Sequence, residues 1–248
     1  MSKNFKYLDD LIHSGVKEIV LDSNIVLGDG EEEYYGYKSD FDDNNHSCGI
    51  KIDVDDLIID GNGHTIDAKE KSGVFMFTGS NIIIKNITIK NSVYSIENYN
   101  GFVTMINTCF TNNLGFGGAL FNHCGELTIM TCKFIDNEAR RDGGAILNRG
   151  EIKIIDSLFK GNDAYHWGGS IENHGKLDIK KSTFLNNFAD YDGGAICNTG
   201  NLSICSSTFS NNVSGKNGGA IYSSNEDLKL KDCTFKDNKP DDIYKLTL

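Results

Sequence analysis

Four short segments carry most of the side chains that could do chemistry: "EARRD" at 138–142, "DAYHW" at 163–167, "FADYD" at 188–192 and "VSGKN" at 213–217. They supply Arg140, Arg141 and Asp142, then Tyr165, His166 and Trp167, then Asp190, Tyr191 and Asp192, with Lys216 beyond; Trp167 is the one tryptophan of the chain. Aromatic rings cover the apolar faces of sugars or protein side chains, while carboxylates and guanidinium groups take hydroxyls, so this mixture suits a ligand-binding surface. The opposing reading is that these are tolerant loops whose aromatic rings pack on their neighbours.

Other candidates are weaker. The stretch "GDGEEEYYGYKSDFDDNNHSC", Gly28 to Cys48, holds Glu31, Glu32, Glu33, Asp40, Asp42 and Asp43, oxygen donors of the kind calcium takes, but their spacing matches no EF-hand loop. A solvated acidic excursion is the favoured reading, with Tyr34, Tyr35 and Tyr37 suggesting that it packs somewhere. In "DGNGHTID" His64 lies between Asp60 and Asp67, although Gly-Asn-Gly marks a turn. Seven cysteines at irregular intervals make neither a disulfide framework nor a paired Cys-x-x-Cys zinc site, and are read as reduced thiols. The sequence therefore assigns no catalytic residue, no metal site and no cofactor.

The composition bounds the partners. A formal charge of -11, with three arginines among 24 basic residues, argues against nucleic acid. No apolar run reaches the length of a membrane-spanning helix, and "MSKNFKYLDDLIHSG" lacks the apolar core of a secretory signal. Twenty-seven glycines and one proline suit a fold with many glycine-dependent turns.

What must position the four segments is a repeat. Gly-Gly pairs begin at Gly117, Gly143, Gly168, Gly193 and Gly218, at intervals of 26, 25, 25 and 25 residues. Each unit also holds a phenylalanine followed three residues later by asparagine, from Phe110 and Asn113 to Phe235 and Asn238. Between glycines and phenylalanine runs an alternating apolar pair such as Ile152 and Ile154 or Leu177 and Ile179, the period-two signature of a strand buried on one face. The register continues upstream, less regularly, to Val103, Ile82 and Leu57. A fixed period of this length, with two or three short β segments per unit and no helical pattern, predicts an all-β, single-stranded right-handed parallel β-helix of about eight coils.

Stacking gives the repeated residues physical jobs. Phe110, Phe134, Phe159, Phe184, Phe209 and Phe235 are expected to form an internal aromatic column, and Ile146, Ile171, Ile196 and Ile221 an aliphatic one. Asn137, Asn162, Asn187 and Asn212 are expected at a turn, in the left-handed conformation and bonded rung to rung through their amides; Asn122, Asn148, Asn173 and Asn198 form a second such column. Cys132 and Cys233 share a column but lie four rungs apart, too far for a disulfide. Outward columns reading Thr128, Lys153, Asp178, Ser203, Lys229 and Thr131, Asp156, Lys181, Ser206, Asp232 alternate in charge and lack the clustered carboxylates that pectate lyase or polygalacturonase chemistry needs. The threonine column Thr183, Thr208 and Thr234 is broken by Cys109, Lys133 and Leu158, against an ice-binding face.

The organisation expected is a capping helix within 1–15, first strands over 16–56 interrupted by the acidic loop 28–48, coils over 57–238 and a tail over 239–248. Asn4 suits an N-cap, Phe5, Leu8, Leu11 and Ile12 one apolar face, and Gly15 the stop. The tail offers no equally clear cap, so the solenoid continues or the tail folds across its end.

The recurring "GGAI" followed by "FxxN" resembles the motif pair of the chlamydial polymorphic outer-membrane proteins. The layout "IDGNGHTID", then "NIIIKNITIKN", then "GGAI.N.G.L.I..STF.NN" units is similar to the adhesin-like β-helix proteins of methanogenic archaea. The resemblance covers roughly Gly49 to Asn238 and implies a right-handed parallel β-helix of the pectin lyase-like kind, displayed on a cell surface or secreted and used for attachment to a glycan or a cell-surface protein. The chain departs from the pattern in having Ser170 where the repeat has alanine and in lacking an export signal, which leaves a cytoplasmic location open. The expectation is a non-catalytic adhesin-like domain. The alternatives are a polysaccharide lyase or glycoside hydrolase, which an acidic patch would favour, and a structural spacer.

Overall fold

Each of the five turns between Phe102 and Ser223 lays down four short strands, for example Glu151–Ile155, Leu158–Lys160, Asp163–Ala164 and Ile171–Asn173, and the earlier turns lay down three. In the computed structural model, which describes residues 2–36, 49–93, 96–225 and 228–246, each strand pairs in parallel with its counterpart one turn on. Three nine-stranded sheets result. Sheet one runs from Glu18–Val20 to Lys229–Lys231, sheet two from Ile25–Val26 to Thr234–Lys236, and sheet four from Ile50–Ile52 to Ile243–Lys245. A five-stranded sheet three, Leu114–Gly115 to Val213–Ser214, fills the corner before the Gly-Gly pair. Nine stacked strands correspond to about eight turns, as the sequence repeat implies, with four strands per unit where two or three were expected.

The alternation of sheet one is realised: Ile152 and Ile154 are buried while Glu151 and Lys153 face water. In sheet two Phe110 through Phe235 form one column with successive ring centroids 4.7, 4.8, 4.7, 4.7 and 5.1 Å apart and planes within 11° of parallel. Strand spacing imposes that stacked arrangement, because each ring rises from the same point of the rung below. Below Phe110 the column continues as Ile89, Ile66 and Ile25.

Two buried amide ladders stitch the rungs. Asn113, Asn137, Asn162, Asn187 and Asn212 each donate from Nδ2 to Oδ1 of the asparagine one rung on, at 2.8 to 3.1 Å, ending on Asn238. The second ladder runs Asn98, Asn122, Asn148, Asn173, Asn198 and closes on Ser223 Oγ. One expectation is corrected: the left-handed residue is the one before the ladder asparagine, Asn112, Asp136, Gly161, Asn186 and Asn211, with φ between 52° and 65°. The ladder side chain must point inward from regular backbone, so the reversal falls one position earlier. The column Thr131, Asp156, Lys181, Ser206 and Asp232 faces outward as expected and stands at another left-handed corner, with φ between 50° and 53°.

The first glycine of each pair is required at Gly168, whose φ is +66° and whose added Cβ would meet Ile171 O at 2.2 Å. The six described cysteines are all unpaired; between Cys132 and Cys233 the column is filled by Ser157, Ser182 and Ser207.

The N-terminal end is covered by helix α1, Phe5–Ile12, whose Phe5, Leu8 and Ile12 join the core. Asn4 Oδ1 accepts from Tyr7 N at 3.1 Å, and Glu31 reaches back to accept from Phe5 N and Lys6 N at 3.1 and 2.9 Å, satisfying the open amides of the helix start. At the other end the described part of the tail continues the solenoid: Ile243–Lys245 adds the ninth strand of sheet four beside Ile221–Ser223.

Candidate functional site

The divergent segments begin on the strands of sheet three, and their backbone hydrogen bonds stack them in register. Tyr165 N donates to Ala139 O, His166 N to Arg141 O, Tyr191 N to His166 O and Lys216 N to Tyr191 O. Three columns result: Arg140, Tyr165, Asp190; Arg141, His166, Tyr191, Lys216; and Asp142, Trp167, Asp192, Asn217. The structure thus brings all nine candidate residues into one strip on consecutive rungs.

Within the strip the side chains touch across rungs. The His166 ring stands edge-on to Tyr191 with centroids 5.5 Å apart and lies 5.4 Å from Trp167, which is 6.0 Å from Tyr191. Lys216 Nζ sits 4.2 Å over the Tyr191 ring, and Arg141 lies 4.9 Å over Phe116. Asp142 is nearly buried, its Oδ1 3.6 Å from His166 Nδ1 and its Oδ2 3.9 Å from Arg141 Nε. Asp192 Oδ1 accepts from Asn217 N and Nδ2 at 3.1 and 2.8 Å. Tyr165 is 61% exposed and Trp167 and Tyr191 37% each, so the rings pack on one another and still present area to solvent.

Beside the strip lies an open groove of about 490 Å³ lined by Glu138, Ala139, Arg140, Asp163, Tyr165 and Asp190. Glu138 and Asp163 are register partners on adjacent strands of sheet three. Desolvation, then the charges of Glu138 and Asp190, push the Asp163 carboxyl above its usual range. Glu138 and Asp163 were missed by sequence reasoning, which inspected the outward columns of the longer strands. The signal was the residue after each ladder asparagine, which reads Leu114, Glu138, Asp163, Phe188, Val213.

Glu172 was missed as well. It occupies the column Leu147, Glu172, Cys197, Tyr222 of sheet four, is 2% exposed, and has its Oε2 without a hydrogen-bond partner.

The remaining candidates do not assemble. Asp60 ends a strand of sheet one and Asp67 one of sheet two. Burial of Asp60 is outweighed by hydrogen bonds from Asn62 N and Asn86 Nδ2 and by Lys85 at 3.2 Å, which hold its carboxyl below the usual range; Asp67 is similarly tied to Lys69 N, Asn91 and Lys90. His64 Nδ1 faces Asn24 Oδ1 at 3.4 Å. In the acidic loop Glu31 is committed to the start of α1, Glu32 lies 3.2 Å from Lys71, and Tyr35 packs against Phe5 and donates to Asp9. Tyr37, Asp40, Asp42 and Asp43 lie outside the described residues. Among the described residues, no group of three or more His, Cys, Asp or Glu side chains is disposed to hold a metal ion.

The molecule is a parallel β-solenoid repeat protein with an aromatic and charged strip along one corner. The model of the Chlamydia polymorphic membrane protein repeat matches the chain over residues 181–199 and 206–224, two successive turns that each hold a phenylalanine-asparagine pair and a Gly-Gly turn. No curated protein and no solved structure matches the chain. Among the described residues no helix is long and apolar enough to cross a membrane.

Proposed function

We propose that this solenoid is a non-catalytic, adhesin-like attachment domain displayed at a cell surface, and that the strip with its groove binds a glycan or a surface protein. The observation that carries the reading is the in-register stacking of the most divergent loops into one continuous band of exposed rings, Tyr165, Trp167 and Tyr191, beside the carboxylates of Glu138, Asp163 and Asp190. A repeat that varies where its loops stack offers a large surface without disturbing its core. Surface display is supported by the polymorphic membrane protein repeat match.

The Glu138 and Asp163 pair favours one second reading. Two outward carboxyls on neighbouring strands, one with a raised pKa, are the equipment of glycosidic bond cleavage. A glycan-array screen of the purified protein beside a Tyr165→Ala/Trp167→Ala double variant, with bound glycans assayed for cleavage, separates the two. Selective retention lost in the variant with intact glycans supports attachment; cleavage abolished by Glu138→Gln establishes the enzyme instead. No retention of any glycan leaves a protein ligand, or a spacer role if none is found.

A further inference from the structure

One rung departs from the repeat more than any other. It contributes Tyr165, His166 and Trp167 to the strip, places Ser170 where its neighbours have Ala145 and Ala195, and places Glu172 between Leu147 and Cys197. Ser170 Oγ and Glu172 Oε2 are both buried without a hydrogen-bond partner, as are Asp142 Oδ1 and His166 Nδ1 at the edge of the strip. Of these four atoms Asp142 Oδ1 and His166 Nδ1 face each other at 3.6 Å, while Ser170 Oγ and Glu172 Oε2 have no hydrogen bond; buried polar atoms left so are costly, and native proteins keep such arrangements where the groups do something else.

The surroundings of Glu172 are one-sided in charge. Asp142 on the preceding turn and Asp192 on the following turn both bring negative charge to bear on it, the Cys197 thiol lies beside it one rung on, and Tyr222 follows. The nearest basic group is the His174 imidazole, with Nε2 3.3 Å from Glu172 Oε1. Burial and the charge of Arg149 push His174 below its ordinary value, so it stays uncharged at neutral pH, with Nδ1 2.8 Å from Thr199 Oγ1. Arg141 is directed to Asp142 at 3.9 Å. The turns that carry Asp142 and Asp192 flank Trp167 in the stack: Gly143 N donates to Trp167 O at 2.8 Å and Gly168 N to Asp192 O at 3.1 Å.

We propose that Glu172 is a proton-binding switch for the strip: protonated, it lets the turns of Asp142 and Asp192 close over it, and on losing the proton it drives them, and the Trp167 ring between them, apart. The neutral carboxyl can donate to His174 Nε2 and presents no charge to the two aspartates. The carboxylate would be a third negative charge in a site with no cation among the described residues within ion-pairing distance except an imidazole that resists protonation. Burial first, opposed by a hydrogen bond from the Cys197 thiol and then reinforced by the charges of Asp142 and Asp192, pushes the Glu172 carboxyl up to about 8, which puts the change just above neutrality.

The consequence for ligands rests on the strip being the binding site; the movement itself does not. Because Trp167 is the one tryptophan, its emission reports the strip directly. Between pH 6 and pH 9 the native protein is expected to show a shift in Trp167 emission with a midpoint near pH 8, and Glu172→Gln is expected to show none. Far-UV circular dichroism checks that the variant is folded; if it is not, Glu172→Leu, which installs the residue that Leu147 supplies one rung earlier, takes its place. An emission profile flat in the native protein, or unchanged by the substitution, overturns the proposal. A glycan retained at pH 7 is expected to bind about tenfold more weakly at pH 9 in the native protein and equally at both in Glu172→Gln. An emission shift with no glycan bound at either pH leaves the switch standing and removes the glycan reading.

Discussion

Glu138 and Asp163 stand directly opposite each other on adjacent strands of sheet three, two carboxylates of like charge with no ion-pair partner within 4.0 Å among the described residues. Like charges in register weaken a sheet by about 0.2–1 kcal/mol. Placing them at the mouth of a groove is the pattern expected where stability yields to binding. Glu138→Gln is expected to raise the free energy of urea unfolding by about 0.2–1 kcal/mol while weakening ligand retention on the array. A variant that gains no stability, or that binds as well as the native protein, contradicts the assignment of these carboxyls to the groove.

The exposed rings separate binding from folding in a second way. Tyr165 is 61% exposed, so Tyr165→Ala should leave the unfolding free energy within about 0.5 kcal/mol of the native value and yet cost binding by about 1 kcal/mol or more if the ring is a contact residue. Phe159→Ala, removing a fully buried ring from the aromatic column, should do the reverse in kind: destabilisation of about 3–5 kcal/mol, with binding intact in whatever fraction remains folded. Parallel denaturation and binding curves of the two variants test the pair.

The buried amide ladders make a third prediction. Asn162 Nδ2 donates to Asn187 Oδ1 and Phe134 O at 3.1 and 3.0 Å, while its Oδ1 accepts from Asn137 N and Nδ2 at 3.1 and 3.0 Å. Asn162→Ala strands partners on both neighbouring rungs, each left at a cost of about 1–3 kcal/mol, so a total loss of at least about 3 kcal/mol is expected in urea unfolding. Asn162→Asp keeps the acceptor and the shape but removes both donors and adds a buried charge, and should fare no better at neutral pH. A loss under about 1 kcal/mol for the alanine variant would show that water replaces the ladder.

The period of 25 residues, read from Gly143, Gly168 and Gly193, was enough to foresee the sheets, the phenylalanine column and both ladders, because stacking in register turns a one-dimensional repeat into a three-dimensional one. What escaped were features on which the repeat is silent. The reversal before each ladder asparagine uses Asp136, Gly161 or Asn186 interchangeably, so no single residue type marks it. Sheet three has two-residue strands, too short for alternation to show, and Glu138 and Asp163 were hidden with it. The strip was legible as divergence, since Tyr165, His166 and Trp167 break an otherwise uniform text. Burial of Glu172 was not, because it depends on the Gly143 and Gly168 turns packing close against a position that faces solvent by simple alternation.

That burial sets how stability should depend on pH. The Glu172 carboxyl has an ordinary value of 4.5 and is raised in the folded protein to about 8, with desolvation the largest cause. A group raised on folding binds its proton more tightly in the native state, so its contribution is fully present below the unfolded value and is lost as pH climbs through the folded one. The native protein should therefore lose stability progressively between about pH 5 and pH 8 through this residue, by an amount on the order of a few kcal/mol. Glu172→Gln, which keeps the shape without the titration, should remove that part of the slope and leave the protein more stable than native at pH 8.5. Urea midpoints of both proteins taken from pH 5 to pH 9 make the comparison, and parallel curves would mean that Glu172 is ionised in the folded state and finds compensation from His174, whose imidazole would then have to be charged.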